Sequence, residues 1–389
     1  MRYSLTESAD QDRTERAGVL AAIMKQKIIL IMIVFASFVL WSINAYSENS
    51  RTVKVGVILP LTGKLAPMGE VERNAMVLAM EKVNSSSKRL ELIFEDGKGN
   101  PTEAATIANR LIDIEKADLL ITSTTGASLA VEPITTRAKK NLIAFCMDPD
   151  ISRKSEYVVR FYEGIKEESD AILKYFATAK GLTKVGVLYV NVPVFEKVVN
   201  DVYLPFLKQK KVSVPVVERY ALTDKDFRVP VFKMKQAGID HLILLGYGFE
   251  YENIFNQLAE TGLLKGNLRI IGGWGFLYTP VDASLLEGVL VSGPQYVFRE
   301  QSSDFQKEYL KKYRKQPNFD AAFAYNVIIE LGELIKHNID LTKPLKRTLI
   351  KKDEFAGVVG RYSFSSDGDM IVKTGLGVYR NGVVLKYEP

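Results

Sequence analysis

The stretch KVGVILP, at Lys54–Pro60, is an apolar run of strand-forming residues that leads into a long amphipathic segment. A closely similar stretch, KVGVLYV, recurs at Lys184–Val190 and again precedes an amphipathic segment. After each copy, short strand patterns alternate with helical patterns. Such alternation predicts a parallel sheet with helices on both faces. The sequence therefore predicts an α/β protein with two Rossmann-like lobes, one opened by each copy.

Composition excludes several classes of protein. The chain has 389 residues, with 47% hydrophobic and 25% charged side chains and a net charge of +6, which is typical of a globular protein. Its tightest basic run, KQKK at Lys208–Lys211, falls in a helical pattern, so we interpret it as a solvated face and predict no nucleic-acid partner. Cys146 lies in an apolar run and is predicted to be buried. His241 and His337 are far from any ligand cluster, so we predict no metal and no cofactor.

The amino end has the layout of a signal peptide. Lys25–Ser47 carries a basic start, then an apolar run, then small residues. Ala45 and Ser47 occupy the small-x-small positions, which predicts cleavage before Glu48. The alternative is an uncleaved membrane anchor over Ile28–Ala45.

A polar stretch precedes this leader. Met24 stands directly before its first lysine, so we predict that translation starts there. Residues 1–23 are then either a start-site artefact or a disordered extension, and residues 24–47 are the signal peptide.

Two open parallel sheets bind ligands outside the carboxyl ends of their strands. If the sheets of the two lobes face each other, a ligand held in the cleft between them couples binding to hinge closure. The sequence shows no Gly-x-Ser-x-Gly, Gly-x-x-x-x-Gly-Lys or His-Glu-x-x-His motif, and we predict that the protein is not an enzyme. SSDGDM, at Ser365–Met370, is predicted to be a hairpin turn rather than a calcium loop.

The segment Lys54–Asn84 resembles the amino end of type I periplasmic binding proteins, specifically the leucine/isoleucine/valine-binding branch of ABC transporter substrate-binding proteins. It contains PLTG, a glycine opening a helix, an Asn74-Ala75 pair and a closing VN. Further matching segments follow in the expected order to Tyr387, among them EDGKGNPTEAATIANRLI and GVVGRYSFSSDGDM.

The resemblance implies discontinuous lobes joined by three crossovers. The first lobe would comprise residues 51–163 and 297–353, and the second residues 164–296 and 354–389. It also implies a periplasmic monomer that captures a small molecule, such as an amino acid or a related amide, carboxylic or aromatic compound, and delivers it to an ABC permease. The alternative function is a ligand-binding sensor or receptor domain of the same fold, tethered to the membrane if the leader is retained.

The resemblance implies ligand-binding positions in the first lobe. Met68 takes the place of a side chain just before the helix-opening glycine. In ITSTTGAS, Thr125 takes a serine position and a Gly-Pro pair is lost, but Thr124, Thr125 and Gly126 still open a helix that can bind an anion. Two aspartates, Asp148 and Asp150, replace small residues after the next strand.

In the second lobe, Phe195 replaces a tyrosine, Tyr247 matches one, and Trp274 stands where the resemblance implies a carboxylate for an amino acid's ammonium. A buried ammonium needs a charged partner. Either Asp148 or Asp150 supplies it from the other lobe, or the ligand is not an α-amino acid and the Met68, Phe195, Tyr247 and Trp274 surface holds an apolar or aromatic molecule. The aspartates are equally compatible with turn or capping roles.

Overall fold

The computed structural model describes residues 24–27, 29–37, 52–85, 90–277, 279–298 and 303–387. Residues 24–27 and 29–37 are helical and belong to a unit separate from the body that starts at Val53. In the part of the chain that is described, no helix has both the length and the hydropathy needed to cross a membrane. The predicted extension 1–23 and the predicted cleavage site before Glu48 lie outside the described residues.

A five-stranded parallel sheet is the centre of the first lobe. Its strands are β1 (Val53–Leu59), β2 (Leu90–Asp96), β3 (Leu119–Ser123), β4 (Asn141–Phe145) and β5 (Val158–Arg160). They lie in the order β2-β1-β3-β4-β5. Successive β1 side chains alternate between two cores, with Val57 and Leu59 in one and Ile58 in the other. Because both faces are covered, the strand is apolar and buried from Val55 to Leu59.

A seven-stranded mixed sheet is the centre of the second lobe. Its strands are β6 (Lys184–Val190), β7 (Ser213–Tyr220), β8 (His241–Leu245), β9 (Arg269–Gly272), β10 (Leu290–Pro294), β14 (Thr374–Arg380) and β15 (Val383–Lys386). They lie in the order β15-β14-β10-β9-β8-β6-β7, and β14 and β15 run antiparallel to their neighbours. The predicted α/β class is confirmed.

The helices cover both sheets. They are α1 (Ala66–Asn84), α2 (Pro101–Asp113), α3 (Thr125–Ala138), α4 (Asp150–Arg153), α5 (Ile165–Thr178), α6 (Pro193–Val198), α7 (Leu204–Gln209), α8 (Arg228–Ala237), α9 (Tyr251–Glu260), α10 (Asp304–Tyr313), α11 (Phe319–Lys336) and α12 (Lys346–Leu349). Helix α2 begins with Pro101 in its first turn, and the Asn100 side chain accepts hydrogen bonds from Thr102 N and Glu103 N.

A third, antiparallel sheet is formed by β11 (Phe355–Gly357), β12 (Gly360–Phe364) and β13 (Met370–Val372), and β12 and β13 flank the predicted hairpin turn. Its Asp369 pairs at 3.0 Å with the buried Arg160 of β5. Its Tyr362 hydroxyl accepts a hydrogen bond from Asn326 of α11. The predicted division into residues 51–163 with 297–353 and residues 164–296 with 354–389 stays a prediction.

Prolines lie within helical segments of the chain. Helix α3 continues through Pro133, and Val131 and Thr135 on either side of the proline are buried. Between α6 and α7, residues Val199–Tyr203 form a π-helical turn just before Pro205. Proline has no N–H to continue the α-helical ladder, and the wider turn accommodates that loss.

Candidate functional site

A cleft lies between the two sheets and is lined by residues from both lobes. Its main cavity has a volume of about 620 Å³. The first lobe contributes the start of α3 and the loop after β4, and the second contributes α5, α6 and the loops after β7 and β8. The lining residues are Leu65, Gly99, Thr124, Thr125, Gly126, Leu129, Asp148, Pro149, Ile165, Lys166, Ser169, Asp170, Val192, Pro193, Val194, Lys197, Val198, Asp201, Val202, Leu222 and Tyr247.

Two smaller voids adjoin the main cavity. The one we call the Glu72 void, of about 30 Å³, shares Thr124, Thr125, Val194 and Tyr247 with it. The full lining of the Glu72 void is Met68, Glu72, Ser123, Thr124, Thr125, Phe145, Met147, Tyr162, Val194, Tyr247 and Trp274. The other void, of about 70 Å³, is lined by Lys64, Leu65, Pro67, Met68, Tyr247, Phe249 and Trp274.

The start of α3 forms part of the first-lobe wall. Thr124 caps the helix and its side chain accepts a hydrogen bond from Ala127 N. Thr124 has a φ of +78°, a conformation that favours glycine, and residues held in such conformations cluster at functional sites. The positive end of the helix dipole points toward the cleft. Thr124, Thr125 and Gly126 thus lie at a helix start in the wall of the main cavity, and their role as an anion site stays a prediction.

Met68 lies in α1 and lines both smaller voids. The helix begins at Ala66, so Met68 is within its first turn rather than before it. The next residue must be glycine, because a Cβ at Gly69 would lie 2.2 Å from the carbonyl oxygen of Pro60. This close approach holds α1 against the end of β1 and directs Met68 into the cleft.

The two aspartates have different surroundings. Asp148 lines the main cavity, and its carboxylate accepts a hydrogen bond from Asp150 N. Asp150 lines none of the three cavities; it pairs with Lys197 of α6 at 2.9 Å and with Arg153 at 2.8 Å. The hydrogen bond from Lys197 lowers the pKa of Asp150. Its carboxylate is therefore engaged at the rim of the cleft, between the lobes.

The aromatic residues of the second lobe form a connected group. The rings of Tyr247 and Trp274 meet edge to face at 5.7 Å, and both line the Glu72 void. Phe195 lines none of the three cavities; it is buried and packs edge-on against Tyr247 at 6.1 Å. The Trp274 indole Nε1 donates a hydrogen bond to the Met147 sulfur of the first lobe at 3.2 Å. The structure thus brings Met68, Tyr247 and Trp274 together and places Phe195 behind them.

Glu72 of α1 is a cleft residue that sequence reasoning missed. Its side chain is buried, with Oε1 accepting a hydrogen bond from Ser123 at 2.8 Å. Burial and the charge of Asp320 raise the pKa of Glu72 well above its ordinary value. The signal that was missed is the position of Glu72 around the axis of α1. Glu72, Ala75, Met76 and Ala79 share the buried face, so a charged residue occupies a core position.

A second group of buried acids lies where the chain passes from β5 to α5, and it was also missed. Glu163 and Glu168 are both buried, close to the ion pair of Arg160 with Asp369. Burial raises the pKa of Glu168 to about 8, although its Oε2 accepts a hydrogen bond from Trp274 N. Burial and the charge of Glu168 also raise the pKa of Glu163. This group lies behind Trp274 and does not line the cavities.

Within the described ranges, no group of three or more His, Cys, Asp or Glu side chains is placed to hold a metal ion. Cys146 is buried as predicted, and burial raises the pKa of its thiol to about 11, away from that of a reactive thiolate.

A family model described as periplasmic binding protein matches residues 52–379. The chain belongs to the periplasmic binding protein family. This confirms the family named from the sequence and the prediction of a binding protein rather than an enzyme. Among relatives of this periplasmic binding protein, the leucine-, isoleucine-, valine-, threonine- and alanine-binding protein of Pseudomonas aeruginosa is 20% identical over 346 residues, covering 86% of this chain and 92% of the relative.

Solved structures show the same fold. A solute-binding protein of an ABC transporter from Rhodopseudomonas palustris, in complex with 3,4-dihydroxybenzoic acid, superposes with a TM-score of 0.77 at 22% identity, covering 86% of this chain and 96% of the other. The branched-chain amino acid transporter substrate-binding protein LivJ from Streptococcus pneumoniae, in complex with isoleucine, superposes with a TM-score of 0.76 at 23% identity. The match covers 87% of this chain and 100% of the other. Similar folds thus serve both amino acids and aromatic acids.

Proposed function

We propose that this periplasmic binding protein is the exported substrate-binding component of an ABC transporter, and that it captures a small carboxylic acid. The observation that supports this most strongly is the cavity of about 620 Å³ between the lobes, with the start of α3 in its wall. Isoleucine and 3,4-dihydroxybenzoic acid, bound by two structures of similar fold, both carry a carboxylate. The ligand of this chain is accordingly an amino acid or an aromatic acid.

The ligand carboxylate binds the backbone N–H groups and hydroxyls at Thr124, Thr125 and Gly126, where the helix dipole favours negative charge. The apolar part of the ligand enters the space between Leu129 of the first lobe and Val194 of the second. Burial of that surface supplies most of the binding energy, and the anion site fixes the orientation.

Closure of the lobes brings Tyr247 and Trp274 over the ligand. It is a population shift, because the ligand contacts both lobes only in the closed state. Asp148 borders the cavity as a polar contact, and Asp150 favours closure by pairing with Lys197. Phe195 acts indirectly by holding the Tyr247 ring. The closed form is the one that a permease recognises, and export follows from the leader at Lys25–Ser47.

Calorimetric titration of the purified protein tests this function. The ligands are the proteinogenic amino acids and a matched set of benzoates, each first screened by thermal shift. We expect at least one of these acids to bind and, in small-angle scattering, to compact the protein. Absence of binding by every acid in both sets would overturn the proposed function.

A further inference from the structure

The inner end of the cleft holds a carboxyl group whose partners are incomplete. Glu72 is 1% exposed. Its Oε1 accepts a hydrogen bond from Ser123, whereas its Oε2 has no hydrogen-bond partner within the described residues. A buried carboxylate oxygen without a partner is costly, because it has lost its hydration and gained nothing in return. A ligand that fills the Glu72 void is in position to supply that partner.

The chemistry around the Glu72 void favours positive charge. Aromatic residues line it, including Tyr162, Tyr247 and Trp274, and the faces of such rings attract cations. No lysine or arginine is among the residues that line it. The titratable groups that face Glu72 are Tyr162, Tyr247 and Asp320, and the Tyr162 hydroxyl donates a hydrogen bond to Asp320 at 2.5 Å. An anionic group placed here would meet a carboxyl and ring faces without any counter-charge.

We propose that Glu72 is the counter-charge for a cationic nitrogen of the ligand, and so selects amino acids or similar zwitterions over acids without nitrogen. This inference rests on the proposed function. Ser123, the partner of Glu72, directly precedes the Thr124–Gly126 helix start in the chain. The positions for the cation and for the carboxylate are therefore adjacent, as the two charges of an α-amino acid are.

The proposal also accounts for Trp274. A tryptophan stands where the family resemblance implies a carboxylate in the second lobe, yet the Glu72 void brings a first-lobe carboxyl to the same surface. The ammonium lies between that carboxyl and the Tyr247 and Trp274 rings.

Calorimetry on the full chain tests the inference by comparing each amino acid that binds with its deamino analogue, for example L-leucine with 4-methylpentanoate and L-phenylalanine with 3-phenylpropanoate. We expect the wild type to bind the amino acid at least about 100-fold more tightly, because the analogue leaves Glu72 unpaired. Glu72→Gln should lower that preference to less than about tenfold, mainly by weakening amino-acid binding. Glu132→Gln, a buried glutamate of α3 outside the cleft, should leave it unchanged.

Thermal melting identifies any variant that does not fold. If Glu72→Gln fails to fold, the Glu72→Asp variant tests the inference instead. Its shorter side chain should weaken binding of the amino acid about tenfold and leave the affinity for the deamino analogue unchanged. Equal affinity of the wild type for the two members of a pair would overturn the inference, as would an unchanged preference in Glu72→Gln. Binding of benzoates without any amino acid would overturn it while leaving the proposed function intact. Absence of binding by all of these acids would overturn both.

Discussion

Lys197 of the second lobe and Asp150 of the first form an ion pair of 2.9 Å across the rim of the cleft. Nearby, the Lys64 ammonium donates to the carbonyl oxygen of Leu222 at 3.1 Å, again between the lobes. These contacts exist only where the lobes approach each other. We therefore expect these contacts to contribute to the free energy of closure, and we expect Asp150 to affect ligand binding through them.

Breaking this pair should weaken ligand binding only slightly. Both side chains are about half exposed, and such pairs contribute about 0–1 kcal/mol. We expect Asp150→Asn to lower affinity about two- to fivefold, with Lys197→Met giving the same change and the double variant no further loss. Titration calorimetry on all four proteins measures this. A loss of binding above about 100-fold in Asp150→Asn alone would show instead that Asp150 contacts the ligand's charge.

Negative charge at the start of α3 should exclude the ligand. In Gly126→Asp, a carboxylate occupies the helix start, where it stabilises the helix but repels the ligand carboxylate. We expect at least about tenfold weaker binding with little change in melting temperature. Thr102→Asp makes the same change in the first turn of α2, outside the cavities, and should bind as the wild type does. Equal binding by the two variants would contradict the anion site.

The buried acids behind Trp274 should make stability depend on pH. Burial raises the pKa of Glu168 from 4.5 to about 8, so over this range the folded state holds a proton that the unfolded state has lost. Stability from this group is fully present below pH 4.5 and is lost as the pH rises through about 8, by a few kcal/mol.

Thermal melting across this pH range measures the effect. Glu168→Gln should melt several degrees higher than the wild type at the alkaline end and should show a flatter pH profile. Glu333→Gln, an exposed change on α11, serves as the control and should follow the wild type. A wild-type melting temperature that rises steadily with pH would contradict this account.

Processing of the leader is a separate prediction. The small-x-small pattern at Ala45 and Ser47 predicts a mature protein that begins at Glu48. Amino-terminal sequencing of the exported protein measures this directly. An intact amino end at Met24 in a membrane fraction would favour the alternative of a tethered sensor.

The fold was predictable because the local residue composition and the order of elements along the chain indicate the same architecture. The β1 and β6 stretches have strand-forming composition, and each stands at the head of alternating elements, so local propensity and global order specify the same architecture. The helix start at Thr124–Gly126 was predictable for the same reason, since it follows directly from a buried strand. The capping of a helix and the burial of a short apolar strand depend on neighbouring residues, so both can be predicted from a single sequence.

The details of the site were less predictable because they depend on helix phase and on contacts between lobes. The apolar residues Val71, Ala75, Leu78 and Ala79 of α1 fall at helical spacing, and a buried face assigned from them leaves out Glu72. The observed face includes Glu72 and Met76 instead. The pairing of Asp150 with Lys197 joins residues of different lobes, and no local pattern predicts it.

The direction of the Phe195 ring was likewise not predictable from a local pattern. The resemblance places an aromatic residue there, and α6 begins two residues earlier at Pro193. Only the packing of that short helix determines that the ring is directed against Tyr247 rather than into the cavity.

Tryptophan fluorescence tests the central claim, that a small carboxylic acid binds between the lobes, most directly. The sequence has two tryptophans, and Trp41 lies in the predicted leader, so a Trp41→Phe variant leaves Trp274 in the cleft as the single reporter. We predict a saturable change in Trp274 emission on titration with at least one amino acid or aromatic acid, and loss of that change in Gly126→Asp. An emission spectrum that stays constant while calorimetry records binding would contradict a ligand site at this cleft.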